Sequence, residues 1–141
     1  MSLTQIFDTS GSGMNAQSIR LNTTASNIAN AQTASSSTGE VYRGRHPVFA
    51  SLHNAYMQGA GGSEESVGVQ VLGIVESDAP LQQRFEPHHP NADENGYVFY
   101  PNVNVVEEMT NMISASRSFQ VNVEVMNSAK QMIQRVLTLG Q

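Results

Sequence analysis

Asn104 to Gly140 reads NVVEEMTNMISASRSFQVNVEVMNSAKQMIQRVLTLG, and its period decides the fold class. Met109, Met112, Ser116, Phe119, Val123, Met126, Lys130, Ile133 and Leu137 fall at spacings that alternate between three and four, and seven of these nine are apolar. That alternation is the seam of a helix in a coiled-coil-like pair. Asn104 is placed to cap the start with Glu107 as its capping-box partner, and Gly140 stands where a helix should stop. Glu107 and Glu108 near the beginning, with Lys130 and Arg135 near the end, complement the helix dipole. At 1.5 Å per residue, a helix over 105–139 is about 50 Å long, too long for a small domain to cover on all sides. Another segment must lie against it.

The N-terminal segment supplies that cover. Leu3, Phe7, Ser10, Met14, Gln17, Leu21, Thr24 and Ile28 repeat the four-three spacing with fewer apolar residues. Gly11, Gly13, Thr23 and Thr24 lower its helix propensity, so it is expected to be largely disordered alone. Ser10, Gln17 and Thr24 place polar groups on the inward stripe, where they specify register at a cost in stability. All five prolines, Pro47, Pro80, Pro87, Pro90 and Pro101, lie between the two arms, so neither helix meets a proline break. The expectation is a mainly α chain with a small β-rich middle, its N- and C-terminal helices paired as a coiled-coil-like hairpin. The division reads 1–35, 36–100 and 101–141.

The middle alternates Val67, Val69 and Val71 before Ile74 and Val75, and Tyr97 to Tyr100 follows the Asn95-Gly96 turn signal. A third strand runs within Val41 to Leu52. Thr33 to Gly39 and Gln58 to Ser66 read as Gly/Ser-rich connectors.

Composition narrows function. Only 13% of residues are charged, while Ser, Thr, Asn and Gln fill 47 of 141 positions, so much of the exterior is expected to meet protein rather than water. Seven scattered basic residues and a net charge of -5 argue against nucleic acid, which needs clustered cations. Zero cysteine excludes disulfides, thiolate zinc sites and cysteine nucleophiles. No run approaches a membrane span, and MSLTQIFDTSGSGM has neither a basic n-region nor an apolar h-region, so no cleaved secretory signal is expected.

His88, His89, Asp93 and Glu94 form the one cluster with metal-ligand chemistry, but Pro87 and Pro90 bracket it and no zinc-site spacing is present. A small metal-dependent hydrolase built on His88 and His89 is the enzymatic rival. Gly11-Ser12-Gly13 and Gly59 to Gly62 lack the phosphate-cradle pattern, and no G-x-S-x-G elbow occurs. No cofactor is expected. The Met-rich stripe fits either ordinary core packing or a surface that meets several slightly different partners. A freestanding coiled-coil adaptor is the non-enzymatic rival.

Three segments resemble the flagellar basal-body rod proteins. IFDTSGSGMNAQSIRLNTTASNIANAQT, Ile6 to Thr33, is similar to the family's N-terminal S-G-x-x-A-Q, R-L-N and A-S-N-I-A-N elements, with Asn27 and Asn30 its distinctive pair. Gly96 to Gly140 resembles the rod C-terminus through Pro101 to Val103, Glu108 to Met109, Ala115 to Phe119 and Leu137 to Gly140, and Tyr42 to Phe49 adds YRGRHPVF. The short middle favours a proximal-rod member, since distal rod and hook proteins are longer. The resemblance implies a non-catalytic structural subunit whose terminal helices form the inner domain of a hollow rod. It also implies export through the flagellar type III channel, a periplasmic site, and partners among other rod proteins, copies of itself, basal-body rings and the export gate. The assembly interface is expected at Leu3, Phe7, Met14, Leu21, Asn27, Ile28, Asn30, Met109, Met112, Phe119, Val123, Met126, Ile133 and Leu137.

Overall fold

The computed structural model describes residues 3–53 and 66–139. Two long helices frame the chain, α1 (Leu3–Asn30) and α2 (Val105–Leu139), with strands β1 (Arg45–His53), β2 (Ser66–Glu76), β3 (Gln82–Phe85) and β4 (Tyr97–Tyr100) between them. The expected helical pair and small β-rich middle are present. β3 is an addition: QQRF carries no apolar–polar alternation and all four of its positions are exposed, so no periodic signal marks it. β1 pairs with β2, and β3 pairs antiparallel with β4 in the register Gln82 to Tyr100 through Phe85 to Tyr97. The Gln58 to Ser66 connector lies almost entirely outside the described residues, as does the Gly140 stop.

The chain divides into two compact units. One contains residues 20–47 and 74–113. Its core holds Val41, Val98 and Val103 with Pro101, and Val98 is fully enclosed. Asn102 ties the loops of this unit together: its Nδ2 donates to the carbonyls of Ser77 (3.1 Å) and Ala79 (2.8 Å), and its Oδ1 accepts from Gly44 N–H at 2.8 Å. Ser35 bridges to Phe99 through two backbone hydrogen bonds of 3.1 Å, widening the β3–β4 ribbon by one residue. The ribbon's loop ends at the Asn95-Gly96 signal, where Asp93 Oδ1 accepts from Asn95 N–H (2.9 Å) and Tyr97 N–H (2.8 Å). Gly96 adopts φ +81°, the left-handed region that glycine tolerates best. Asn104 caps α2, its Oδ1 accepting from Val106 N–H at 3.1 Å.

The other unit contains residues 3–19, 48–53, 66–73 and 114–139 among those described. Its core is made of small residues, Ser10 and Ala16 on α1, Ala115 and Ala129 on α2. Small side chains let helix backbones approach closely. A Cβ on Gly13 would lie 2.9 Å from Asn122 Nδ2, whereas one on Gly11 would meet Met126 Cε at an ordinary 3.9 Å. β2 docks on α1 at Gly68, where a Cβ would fall 2.5 Å from Ser12 Oγ. The next residue confirms the contact, because Val69 N–H donates to Ser12 Oγ at 3.1 Å while that hydroxyl donates to Thr9 O at 2.9 Å.

Two glycine substitutions test this account. Gly11→Ala meets no clash and removes a flexible residue from a helix interior, so denaturation should show a gain of about 0.5–1 kcal/mol. Gly96→Ala forces a Cβ into the left-handed region with Phe85 at 3.0 Å and Pro87 at 3.2 Å, and a loss of about 1–2 kcal/mol is expected.

Candidate functional site

In each unit α1 and α2 run antiparallel, and the contact between them is the feature from which function must be read. In the unit of residues 20–47 and 74–113 the contact centres on Asn27, which is wholly buried. Its Nδ2 donates to Arg45 O at 2.8 Å and to Glu108 Oε2 at 2.9 Å. Its Oδ1 accepts from Arg45 N–H at 2.9 Å and from the Tyr42 hydroxyl at 2.8 Å. Both donor hydrogens and both acceptor positions of the amide are thereby occupied. One side chain thus fastens α1 to the first turn of α2 and to the start of β1. Glu108, only 4% exposed, accepts through this bond, so a buried carboxylate is stabilised by a charge-assisted contact. Farther along the same pair, Arg20 donates to Asn111 Oδ1 at 3.0 Å.

Asn30, the second distinctive asparagine, acts on its own helix. Its Nδ2 donates to Ser26 O at 2.8 Å, and its carbonyl accepts from Thr33 N–H and Thr33 Oγ1, closing the C-terminal turn. Arg45 also reaches outward to Glu76 at 2.9 Å with both side chains about half exposed, an ion pair of about 0–1 kcal/mol.

The remaining expected interface residues divide clearly. Phe7, Met14, Leu21 and Ile28 on α1, and Met112, Phe119, Val123, Met126 and Ile133 on α2, are half-buried. Met109 and Leu137 are exposed, at 51% and 67%. The Leu3 side chain lies outside the described residues. The most buried positions of α2 are instead Glu108, Ala115 and Ala129, with Asn122 half-buried between the last two, a seven-residue repeat one position before the expected Met109, Ser116, Val123 and Lys130. Glu108 meets Asn27 of α1 in one unit, and in the other Asn122 and Met126 lie nearest α1, at Gly13 and Gly11. On α1, Ser10 and Thr24 are buried as the inward stripe requires, and Ala16 and Thr23 join them. A search for large apolar side chains passes over Ala and buried Glu. The signal that could have found them is the strict heptad spacing of small residues, which marks close helix approach. Gln17, also on the inward stripe, turns a buried Oε1 inward without a hydrogen-bond partner, a cost of about 1–3 kcal/mol.

The histidine-rich loop is committed to its own geometry. His89 Nδ1 accepts from Asn91 N–H at 3.1 Å, and Asp93 holds the turn described above. Among the described residues, no three His, Asp or Glu side chains gather as a metal site. At the edge of the β3–β4 ribbon, Arg84 stacks 4.7 Å from the Tyr100 ring. Desolvation first, then the hydrogen bond to Glu86, push the Tyr100 hydroxyl above its ordinary value. No described helix is long and apolar enough to cross a membrane.

The Asn27 contact makes a direct prediction. Asn27→Ala leaves the Arg45 backbone groups, the Tyr42 hydroxyl and Glu108 without their partner, and chemical denaturation should show a loss of about 3 kcal/mol or more. Asn27→Asp should be no milder at neutral pH, since it sets a second carboxylate against Glu108.

Comparison with known proteins is consistent with this two-helix frame. Residues 94–139 match the family described as "Flagellar basal body rod FlgEFG protein C-terminal", and residues 7–34 match "Flagella basal body rod protein". These two segments contain all of α2 and most of α1. The chain is 47% identical over 141 residues to the flagellar basal-body rod protein FlgC of Salmonella typhimurium, with both chains covered completely. It is 49% identical to FlgC of Escherichia coli O157:H7, again over the full length of both. Against FlgC of Borreliella burgdorferi the identity is 36% over 151 aligned positions, covering all of this chain and 99% of the relative. Asn27, Glu108 and the helix pair they join therefore belong to a chain that is a member of the flagellar basal-body rod protein FlgC family.

Proposed function

We propose that this chain is a structural subunit of the bacterial flagellar basal-body rod and performs no catalysis. Full-length identity to several FlgC proteins carries the reading. The helix pair supports it, because α2 keeps large apolar side chains in water that only further protein can cover. The division expected from the sequence is retained as part of this reading: residues 1–35 and 101–141 supply the inner layer of the rod, and 36–100 its outer layer. Other rod proteins and further copies of the chain are its neighbours, with basal-body rings and the export gate at the rod's ends. The subunit travels through the flagellar export channel to the periplasm, its helical arms ordering on assembly.

Ordering the backbone costs on the order of 1–2 kcal/mol per residue. α1 has two interior glycines and a stripe interrupted by Ser10, Gln17 and Thr24, so its own propensity cannot offset that cost. Burial against α2 and against neighbours must. The exposed positions of α1, Thr4, Asp8, Thr9, Asn15, Asn22, Ala25 and Ala29, are polar or small with a single charge. Such a surface suits the bore of a hollow rod, where unfolded cargo must slide without electrostatic trapping.

In the native bacterium with its chromosomal copy deleted, restoring the chain should return motility, and isolated basal bodies should contain it; motile cells lacking the chain would defeat the proposal. Hydrogen exchange on dilute purified chain should show α1 amides exchanging far faster than in basal bodies. Equal protection in both would remove the coupling of order to assembly. Lys at Asn15 and Asn22 together should impair motility and export of later components, and unchanged export would count against the bore assignment.

A further inference from the structure

We propose that Asn95 is a spontaneous modification site, converted through a succinimide whenever the turn from Asp93 to Tyr97 opens, and that Asp93 is the positioning residue that keeps it silent in the folded chain. Of the twelve asparagines only Asn95 precedes a glycine, and it is exposed. A following glycine has no Cβ to obstruct ring closure, so Asn-Gly is the asparagine pair most open to the reaction. The fold requires that pair. Gly96 takes φ +81°, and a Cβ there would lie 3.0 Å from Phe85 and 3.2 Å from Pro87. The residue that shapes the turn is the one that leaves Asn95 vulnerable.

The chemistry is intramolecular apart from one water. The Gly96 backbone nitrogen gives up its proton to solvent and attacks Asn95 Cγ. An N–Cγ bond forms, the Cγ–Nδ2 bond breaks, and Nδ2 leaves with a proton as ammonia. Water then adds to one of the two ring carbonyls, giving aspartate or isoaspartate at position 95, with nothing oxidised or reduced. Isoaspartate routes the main chain through its side-chain carbons, so one extra backbone atom separates positions 95 and 96.

The folded turn blocks the first step. Gly96 N–H donates to Asp93 O at 3.0 Å, so the hydrogen that must leave is engaged and the peptide plane is fixed. On either side, Asp93 Oδ1 accepts from Asn95 N–H at 2.9 Å and from Tyr97 N–H at 2.8 Å. Asp93 N–H donates to Tyr97 O and Glu86 N–H to Gly96 O, both at 2.9 Å. Turning the Asn95-Gly96 peptide toward the Asn95 side chain breaks the first of these bonds and pulls on the rest. Conversion therefore proceeds through the opened turn, and its extent counts the time spent open. The longer backbone of isoaspartate does not fit the same set of bonds, so that product holds the turn open. Every group involved lies in the unit of residues 20–47 and 74–113, so neither step depends on assembly.

The purified full-length chain, held at mildly alkaline pH in buffer and in concentrated guanidinium chloride, provides the test. Position 95 is followed by peptide mass spectrometry that separates aspartate from isoaspartate. Conversion in denaturant should exceed that of the folded chain by about tenfold or more, the factor that loss of one or two such hydrogen bonds represents. Equal rates overturn the protection, and no conversion in denaturant removes the site. Asp93→Ala should accelerate conversion in the folded chain by about tenfold and leave the rate in denaturant unchanged. Asp93→Asn, whose Oδ1 still accepts from both N–H groups, should keep the slow rate. An Asp93→Ala chain that is folded by circular dichroism yet converts as slowly as the unaltered chain overturns the role of Asp93, as does fast conversion in folded Asp93→Asn. If Asp93→Ala does not fold, Asp93→Glu, which moves the acceptor by one methylene, replaces it with the same acceleration expected.

Discussion

A single asparagine amide, closed on all four of its hydrogen-bonding positions, fixes the relation of α1, α2 and β1 within its unit. Hydrophobic contact between two helices of similar period tolerates slippage by a turn, because one apolar residue replaces another with little penalty. Asn27 does not tolerate it. A shift of one turn would bury the amide, the Tyr42 hydroxyl and the Glu108 carboxylate without partners, each at about 1–3 kcal/mol. The bond from Asn27 Nδ2 to Glu108 is short, at 2.9 Å, and both residues are almost fully enclosed. Low local dielectric strengthens the contact when it is made and raises the cost when it is not. Register in this unit therefore comes from polar chemistry, and the apolar stripe supplies affinity.

In the second unit the same two helices solve a different problem. Ser10, Ala16, Ala115 and Ala129 fill the innermost positions, with Gly11 and Gly13 adding no bulk at all. Small residues bring the backbones close and leave the large side chains, such as Val121, Val125 and Met132, on the outer edges. An isolated helical hairpin would gain by the reverse arrangement, since burying a Val or Leu contributes about 1.5–3 kcal/mol and burying an Ala much less. The arrangement makes sense where the edges are buried by other chains. Burial is then divided between the intramolecular seam and the surroundings, and neither alone suffices.

Much of this was legible from the residues. The three-four alternation from Met109 to Leu137, the Asn104 cap and the absence of proline from both arms point to two paired helices, and the helices span 3–30 and 105–139. Asn27 was legible as important only through family resemblance; nothing in its spacing announces four simultaneous bonds to Arg45, Glu108 and Tyr42, of which Tyr42 and Arg45 are brought to it by the chain that follows α1 and Glu108 by the start of α2. The expected stripe of α2 is covered only in part. Met112, Phe119, Val123, Met126 and Ile133 on it are half-buried, while the buried Glu108, Ala115 and Ala129 were hidden because a hydrophobic count ranks Met109 above them. β3 left no trace, having neither alternation nor buried positions, and it is held by pairing to Tyr97–Tyr100.

The exposed part of the expected stripe is itself informative. When the heptad position chosen for its apolar content proves to be exposed, as at Met109 and Leu137, the sequence carries more apolar periodicity than one partner helix can use. A two-helix pair needs apolar residues at two of seven positions. α2 also places them at positions just before and just after the seam, and keeps one position polar from Thr110 to Thr138. Such a helix is suited to be surrounded on several edges. That surplus separates a subunit of an extended assembly from a hairpin that is complete in solution, and it stands in the sequence without reference to any relative.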